Sequence, residues 1–238
     1  MHSEETLNEQ VEKIIKIKNI KNLDIKKKLK LIIGKSNRIA KYKSELKSLY
    51  QEKINKDDKK HMKMLYDIWF HFFNDEKDIQ DIDKKWRKIN NFNIILIIVN
   101  IGFQGKDPLT DFRGSGLLGL KHLWQFSLIE PKSDRVFKVA TDKKTWYFFA
   151  ATGINISGKV IEFIEQGNCD KFFYEQNEDI NLYLFTQKLY NEFFCKFNDM
   201  WIERGYTDFM KVNSTLEEFM KTRTKYIFEN LIMNKKLF

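Results

Sequence analysis

The sequence predicts an all-α fold, and three observations support this prediction. Only 10 glycines and 2 prolines occur in 238 residues, which leaves little material for the tight turns of an all-β fold. Hydrophobic residues make up 42% of the chain and aromatic residues 15%, enough for a sizeable core. Apolar residues recur mainly at the i, i+3, i+4 spacing of amphipathic helices. We therefore expect one large helical domain, with or without an extension.

The N-terminal part is rich in lysine and has the apolar spacing of two amphipathic helices. We predict these helices over residues 5–33 and 36–56, separated near Gly34. Residues 1–60 are accordingly interpreted as a basic helical extension.

A much more apolar helix face begins near residue 61, in the stretch "HMKMLYDIWFHFF". We place the start of the compact domain there, so that it covers residues 61–238. The residues that form this face are Met62, Leu65, Ile68, Trp69, Phe72 and Phe73.

The middle of the chain contains three further predicted helices. One follows a glycine-rich segment and is closed by Pro131, and the next is a buried helix that ends at Gly153. Ser157 is placed to cap a third helix, which ends at Gly167.

The C-terminal part continues the helical pattern. Residues 179–204 form the longest amphipathic stretch, whose aromatic stripe we interpret as core. Ser214 and Glu217 have the S-x-x-E spacing of a capping box and predict the start of a final helix.

The net charge of +9 is concentrated almost entirely in residues 1–63. A nucleic-acid-binding protein is expected to carry a basic face on its folded domain, so we exclude nucleic acid as a partner. The charge has two other interpretations: a solvated lysine-rich arm, or a contact of residues 1–60 with an anionic membrane or an acidic partner.

Cysteine usage and hydropathy argue against several protein classes. Cys169 and Cys195 are too few for a disulfide framework or a zinc site, and we predict no bound metal. The polar N-terminus has no secretory signal, and the apolar run Ile94–Val99 is far shorter than the roughly 20 residues of a membrane span. We expect a cytoplasmic protein, with peripheral attachment to endomembranes as an alternative location.

Residues 102–120, "GFQGKDPLTDFRGSGLLGL", hold five of the ten glycines and one of the two prolines. Gly114, Gly116 and Gly119 match the spacing of a dinucleotide-binding fingerprint, but the preceding residues are not a hydrophobic strand and no βαβ pattern follows. A P-loop is excluded because no Gly-Lys-Ser/Thr closes the segment.

Two interpretations of this segment remain open on residue pattern alone. In the structural one, Arg113 pairs with a carboxylate such as Asp111, and the glycines permit close helix packing. In the functional one, Gly114 and Gly116 remove bulk around Arg113, so that a phosphate of another molecule can reach the guanidinium. The helix-start residues of the segment are Pro108, Thr110 and Asp111.

The same segment closely resembles the signature of the ELMO domain family, which runs W-x-x-x-G-F-Q, then P-x-T-D-x-R-G-x-G, then L-G-L. The resemblance continues more loosely in "WYFFAATGINIS" and "FTQKLYNEFFCKFNDMWIERG", and it covers roughly residues 61–222. It implies a single domain of orthogonally packed helices.

One departure from the signature indicates an insertion. The family tryptophan is expected four residues before Gly102, where this chain has Ile98. Removing residues 90–101 would join Trp86–Ile89 directly to Gly102 and restore W-x-x-x-G-F-Q. These twelve residues are either a genuine loop or a translated, unspliced intron.

The resemblance implies that the chain is a GTPase-activating protein for Arf and Arf-like small GTPases, with Arg113 as an arginine finger. The GTP and Mg²⁺ would belong to the partner GTPase, so we predict no cofactor and no hydrolytic site in this chain itself. Gly114 and Gly116 would let the partner come close, while Gln104 and Asp111 would hold the loop. The full set of implied partner-binding or loop-supporting residues is Gly102, Phe103, Gln104, Pro108, Thr110, Asp111, Gly114 and Gly116.

The competing hypothesis is a non-catalytic interaction module of the ELMO type that regulates small-GTPase signalling or the cytoskeleton. The larger scaffold members of the family generally lack the arginine motif and carry additional domains. This chain has the arginine and is short, which favours the GTPase-activating interpretation.

Overall fold

The computed structural model describes residues 6–73, 101–104, 107–176 and 179–234. Every regular element within these ranges is a helix, which confirms the predicted all-α fold. The α-helices are α1 (Leu7–Lys18), α2 (Leu23–Gln51), α3 (Lys59–Phe73), α4 (Pro108–Asp111), α5 (Gly116–Ser127), α6 (Lys132–Thr141), α7 (Phe149–Glu165), α8 (Asp170–Glu175), α9 (Leu182–Arg204), α10 (Val212–Thr222) and α11 (Thr224–Met233). Short 3₁₀ turns, Phe112–Gly114 and Phe209–Lys211, lead into α5 and α10.

The helices α1 and α2 pack together as a hairpin, but the turn between them is not at Gly34. Asn19 ends α1 in the left-handed conformation, with φ 48°, and the Asn22 side chain caps α2 by accepting from the Asp24 amide at 2.8 Å. Asparagine suits both positions, because it tolerates left-handed backbone and caps helix N-termini well. The predicted break at Gly34 is therefore wrong. Gly34 lies inside α2, where an added Cβ would contact Leu7.

The C-terminal half of α2 packs into the core of the molecule. Tyr42 and Leu46 are buried in the main hydrophobic cluster, and the guanidinium of Arg38 donates to the backbone carbonyl of Phe173 at 3.4 Å. The division of the chain into residues 1–60 and a following domain stays a prediction. What the structure adds is that α2 contributes core residues on the N-terminal side of that boundary.

The helices α5, α7 and α9 pack against one another at the centre of the fold. The aromatic stripe predicted over residues 179–204 is confirmed as core, because its large side chains lie on the buried face of α9. The indole of Trp201 is fully buried and donates to the backbone carbonyl of Thr145 at 2.7 Å, which satisfies its polar atom. The other fully buried aromatic residues of α9 are Phe185, Tyr190, Phe193, Phe194 and Phe197.

Gly153 does not end a helix, in contrast to the prediction. It lies inside α7, where an added Cβ would fall 2.7 Å from the Tyr190 hydroxyl and 2.9 Å from Leu123. The missing side chain therefore lets α7 approach α5 and α9 closely. Ser157 is also inside α7 and is not a cap. Gly167 follows the end of α7 with φ 84°, which confirms the predicted C-terminal glycine.

A buried histidine joins the three central helices. The imidazole of His122 on α5 lies 2.8 Å from the Ser157 hydroxyl through Nδ1 and 3.1 Å from the Thr186 hydroxyl through Nε2. A neutral imidazole has one donor and one acceptor, so both hydroxyls satisfy it. Burial lowers the pKa of His122 to about 3, and the ring is therefore neutral at physiological pH.

Acidification is expected to destabilise the fold through His122. In the unfolded chain a histidine titrates near its ordinary pKa of about 6.5, so between that value and about 3 the unfolded state binds more protons. The contribution of His122 to the free energy of unfolding is complete above pH 6.5 and decreases as the pH falls. At pH 5 it is about 2 kcal/mol smaller. Urea unfolding of the wild type at pH 7 and pH 5 measures it, and His122→Gln should show a smaller change. An equal change in that variant would assign the pH dependence to other groups.

The predicted capping box at Ser214 is wrong. Helix α10 starts at Val212, so Ser214 is already helical and its hydroxyl donates to the backbone carbonyl of Lys211 at 3.0 Å. Glu217 instead accepts from the ammonium of Lys159 at 2.6 Å. The short helices α6, α8 and α11 were not predicted from the sequence, so the helix at residues 212–222 is not the final one.

Within the described ranges, no helix is long and apolar enough to cross a bilayer. The predicted insertion at residues 90–101 lies outside the described residues except for Ile101, which is buried. That the segment is an insertion stays a prediction.

Candidate functional site

Arg113 lies in the 3₁₀ turn between α4 and α5, and its side chain is exposed. In the part of the chain that the structure describes, its guanidinium makes no hydrogen bond or ion pair. The preceding residue, Phe112, is buried and packs with its ring 5.8 Å from that of Phe103, which anchors the turn beside the arginine. The interpretation in which Arg113 pairs with Asp111 is therefore wrong.

Asp111 has a different contact. Its carboxylate accepts from the backbone amide of Gln104 at 2.6 Å, and this ties the chain ahead of α4 to the end of that helix. A charged acceptor strengthens such a hydrogen bond. The loop-holding role of Gln104 and Asp111 stays a prediction, and this contact is an argument in its favour.

The start of α4 is determined by a cap that the sequence analysis did not identify. The Asp107 side chain accepts from the Leu109 amide at 3.0 Å, and Pro108 occupies the first turn, where its missing N–H costs nothing. The Thr110 hydroxyl donates to the Asp107 carbonyl at 2.7 Å. These contacts position the turn that carries Arg113.

Gly102 and Phe103 connect this segment to α7. Gly102 adopts φ 81°, and a Cβ there would lie 2.6 Å from the Phe149 amide nitrogen. Its carbonyl accepts from the Ala151 amide at 3.1 Å, and Phe103 is buried beside it. Both residues therefore act inside the fold, and neither is placed to touch a partner.

Gly114 and Gly116 have different surroundings. Gly114 is exposed, and a Cβ there would meet no atom within 4 Å. Gly116 is buried with φ 54°, and a Cβ there would lie 2.4 Å from the Glu52 carbonyl oxygen and 2.5 Å from that of Tyr50. That Gly116 makes room for a partner stays a prediction, and the end of α2, which fills the space beside Gly116, is an argument against it. Gly114 is the residue that leaves the surface beside Arg113 open.

Arg113 lines a cleft of about 360 Å³ between the end of α2 and the glycine-rich segment. A larger groove of about 850 Å³ continues from it, and Tyr50, Gln51 and Gly114 line both. Lys53 and Ile54, which follow the end of α2, also line the cleft. The exposed arginine thus lies at one end of a continuous concave surface.

The groove carries charges of both signs. The Lys159 ammonium lies 2.7 Å from Glu162 and 2.6 Å from Glu217, and these two carboxylates raise the pKa of Lys159 although burial alone would lower it. Burial, together with the nearby carboxylates Glu165 and Glu162, raises the pKa of the Tyr50 hydroxyl. The groove can therefore bind a partner through charge pairs and hydrogen bonds, while Arg113 supplies positive charge at its end.

The contribution of α2 and of the residues just after it to this site was not predicted from the sequence. Tyr50, Gln51 and Lys53 lie about sixty residues before Arg113 and were placed in the basic extension. A local signal existed, since Tyr42, Leu46 and Tyr50 repeat every four residues on one helix face, but it did not identify the element on which that face packs.

Comparison with known proteins decides the family. The sequence model of the ELMO/CED-12 family matches residues 44–216. The chain belongs to the ELMO/CED-12 family. The match begins inside α2, in agreement with the packing of that helix into the core. Membership of the ELMO/CED-12 family supports a role in the regulation of small GTPases.

The chain is also similar in sequence to individual ELMO domain-containing proteins. ELMO domain-containing protein 1 of Pongo abelii is 28% identical over 250 residues, which cover 94% of this chain and 71% of that protein. The Bos taurus protein of the same name is 29% identical over 215 residues, or 82% of this chain and 61% of its own length. ELMO domain-containing protein B of Dictyostelium discoideum is 33% identical over 119 residues, or 50% of this chain and 41% of its own length. No solved structure matches the chain.

Proposed function

We propose that this chain is a GTPase-activating protein for Arf or Arf-like small GTPases and that Arg113 acts in trans as an arginine finger. The observation that carries the proposal is an exposed arginine without an intramolecular partner in the described chain, at the end of a concave surface. An arginine that stabilised the fold would instead be expected to pair with a carboxylate or a carbonyl.

The chemistry requires only positioning and charge. During GTP hydrolysis negative charge shifts between the γ- and β-phosphate oxygens, and the guanidinium would donate two hydrogen bonds to those oxygens. Its charge is permanent, and such a residue accelerates hydrolysis by about 10³- to 10⁵-fold. GTP, Mg²⁺ and the attacking water would all come from the GTPase, and this chain would contribute no hydrolytic site of its own.

The open surface at Gly114 supports the approach of a partner. A side chain at this position would stand next to Arg113 and between the cleft and the groove, both of which Gly114 lines. The segment is also tied down on both sides of Arg113, by the Asp111 contact and the buried Phe112 ahead of it and by the hydrogen bond from the Leu117 amide to the Glu52 carbonyl after it. A tethered turn holds the arginine at little entropic cost on binding.

The proposal is tested with a panel of purified, GTP-loaded Arf and Arf-like proteins. We expect the chain to raise single-turnover phosphate release by about 10³-fold or more for at least one member, and to have no effect on a Ras-type GTPase. If a member of the panel binds the chain but hydrolyses GTP at its intrinsic rate, the non-catalytic interaction module is the correct function.

A further inference from the structure

The helical hairpin of α1 and the N-terminal half of α2 carries a concentrated positive charge. Between residues 13 and 35 there are nine lysines and a single acidic residue, Asp24. Seven of these lysines make no ion pair or side-chain hydrogen bond with any described residue: Lys16, Lys18, Lys21, Lys26, Lys27, Lys28 and Lys30. Lysines that stabilised the fold would be expected to pair with acidic residues. The positive charge of these seven lysines is therefore available to an external anionic surface.

The same hairpin exposes large aliphatic side chains. Their exposed fractions are 68% for Ile17, 64% for Leu23, 51% for Ile25, 58% for Leu31 and 50% for Ile32. These five residues and the seven lysines are called the hairpin surface below. Lysines alone would be expected on a solvated helix, whereas aliphatic residues in this number cost free energy in water.

Three of the exposed aliphatic residues, Ile25, Leu31 and Ile32, continue helix faces that are buried further along α2. Leu31 and Tyr42 are eleven residues apart, which is three helical turns, and Ile25, Ile32 and Ile39 repeat every seven residues. Tyr42 is buried and Ile39 packs against the core, but the earlier members of each series have no such cover.

The contacts of α2 with α8 and the residues beside it lie near the middle of α2. The Lys35 ammonium lies 4.8 Å from the centre of the Tyr174 ring, and Arg38 donates to the Phe173 carbonyl. Leu23 is twelve residues before Lys35, a distance of about 18 Å along the helix axis. The hairpin surface therefore lies beyond these contacts, where a large flat partner can reach it.

We propose that the hairpin surface binds an anionic lipid bilayer, with its lysines at the phosphate level and its aliphatic side chains in the interface. This combination is the one that interfacial helices use, because lipid offers both negative charge and an apolar phase. An acidic protein or a nucleic-acid backbone would pair the lysines but would leave Ile and Leu side chains without apolar contacts. Ile32, the last residue of the hairpin surface, and residue 51 lie about 28 Å apart along α2, so the hairpin surface is separate from the Arg113 cleft and the proposal does not depend on the GTPase activity.

The test is co-sedimentation of the full chain with phosphatidylcholine vesicles, with and without about a third of phosphatidylserine. We expect binding only to the anionic vesicles and its loss at about 0.5 M salt. Lys27→Glu/Lys28→Glu should weaken binding at least tenfold, and Leu31→Ser/Ile32→Ser should weaken it severalfold without changing the net charge.

The matched control is Lys143→Glu/Lys144→Glu, which makes the same charge change at exposed lysines outside the hairpin. Equal losses in the two charge variants, or no binding to anionic vesicles, would overturn the proposal. So would poly-glutamate binding as tight as vesicle binding and unaffected by Leu31→Ser/Ile32→Ser, since the partner would then be an acidic protein. Far-UV circular dichroism checks that every variant is folded.

Discussion

Arg113→Lys is expected to lower the stimulated rate of GTP hydrolysis by about 100-fold or more, while leaving the stability of the chain unchanged. Lysine keeps the positive charge, but it lacks the planar fork that donates two parallel hydrogen bonds to phosphate oxygens. The side chain is exposed and has no partner among the described residues, so neither Arg113→Lys nor Arg113→Ala should change the free energy of unfolding by more than about 0.5 kcal/mol. Single-turnover phosphate release and urea unfolding measure the two quantities.

A matched control separates the loss of a finger from a general effect of the substitution. Arg223→Lys makes the same chemical change at an exposed arginine of the C-terminal part, whose guanidinium pairs with Glu203 at 2.9 Å. We expect this variant to keep full activity. Full activity of Arg113→Lys would show that Arg113 is not the finger. Unfolding of Arg113→Ala would instead show that the arginine stabilises the domain.

Gly116→Ala is expected to destabilise the chain by about 2–4 kcal/mol. With φ 54° the residue is in the left-handed region, which costs a non-glycine residue about 1–2 kcal/mol. The added Cβ would also overlap the carbonyl oxygens of Glu52 and Tyr50, at 2.4 and 2.5 Å. Backbone atoms cannot rotate away as side chains do, and the Glu52 carbonyl is held by the Leu117 amide at 2.7 Å. The end of α2 would therefore have to move.

Gly114→Ala is the matched control, two residues away in the same segment. A Cβ at Gly114 would meet no atom within 4 Å and its φ is not positive, so we expect a change of about 0.5 kcal/mol or less. Urea unfolding followed by circular dichroism gives both values. If Gly114→Ala and Gly116→Ala prove equally destabilising, the contact between Gly116 and α2 is not what requires glycine there.

Helix prediction succeeded where one pattern ran for many residues. The stretch 179–204 was predicted almost to its boundaries because a long aromatic stripe at helical spacing has one stable solution, burial on one face. Helix prediction failed where a single residue was interpreted as the start or end of a helix. Gly34, Gly153 and Ser214 all fit the residue types of helix ends, but each lies inside a helix, because packing or a neighbouring cap decided the boundary.

For the candidate site as well, some residues were identified from the sequence, whereas the roles of others became clear only in the structure. Arg113 and Asp111 were identified from the motif, and the motif also identified the family. The sequence could not assign separate roles to Gly102, Gly114 and Gly116, because residue type and spacing are the same for a glycine that makes room within the fold and for one that faces solvent.

By itself, the sequence determined that this protein is all-α, that it carries the arginine segment of the ELMO domain family, and that its lysines are concentrated near the N-terminus. Only the tertiary structure decided that the end of α2 closes on Gly116, that Arg113 faces a cleft and has no partner among the described residues, and that the aliphatic side chains of the hairpin surface are exposed. The physical reason is the distance along the sequence over which the interactions act. Periodicity and composition report the local balance of burial and charge, whereas contacts between residues 50–54 and 112–116 depend on how distant helices pack.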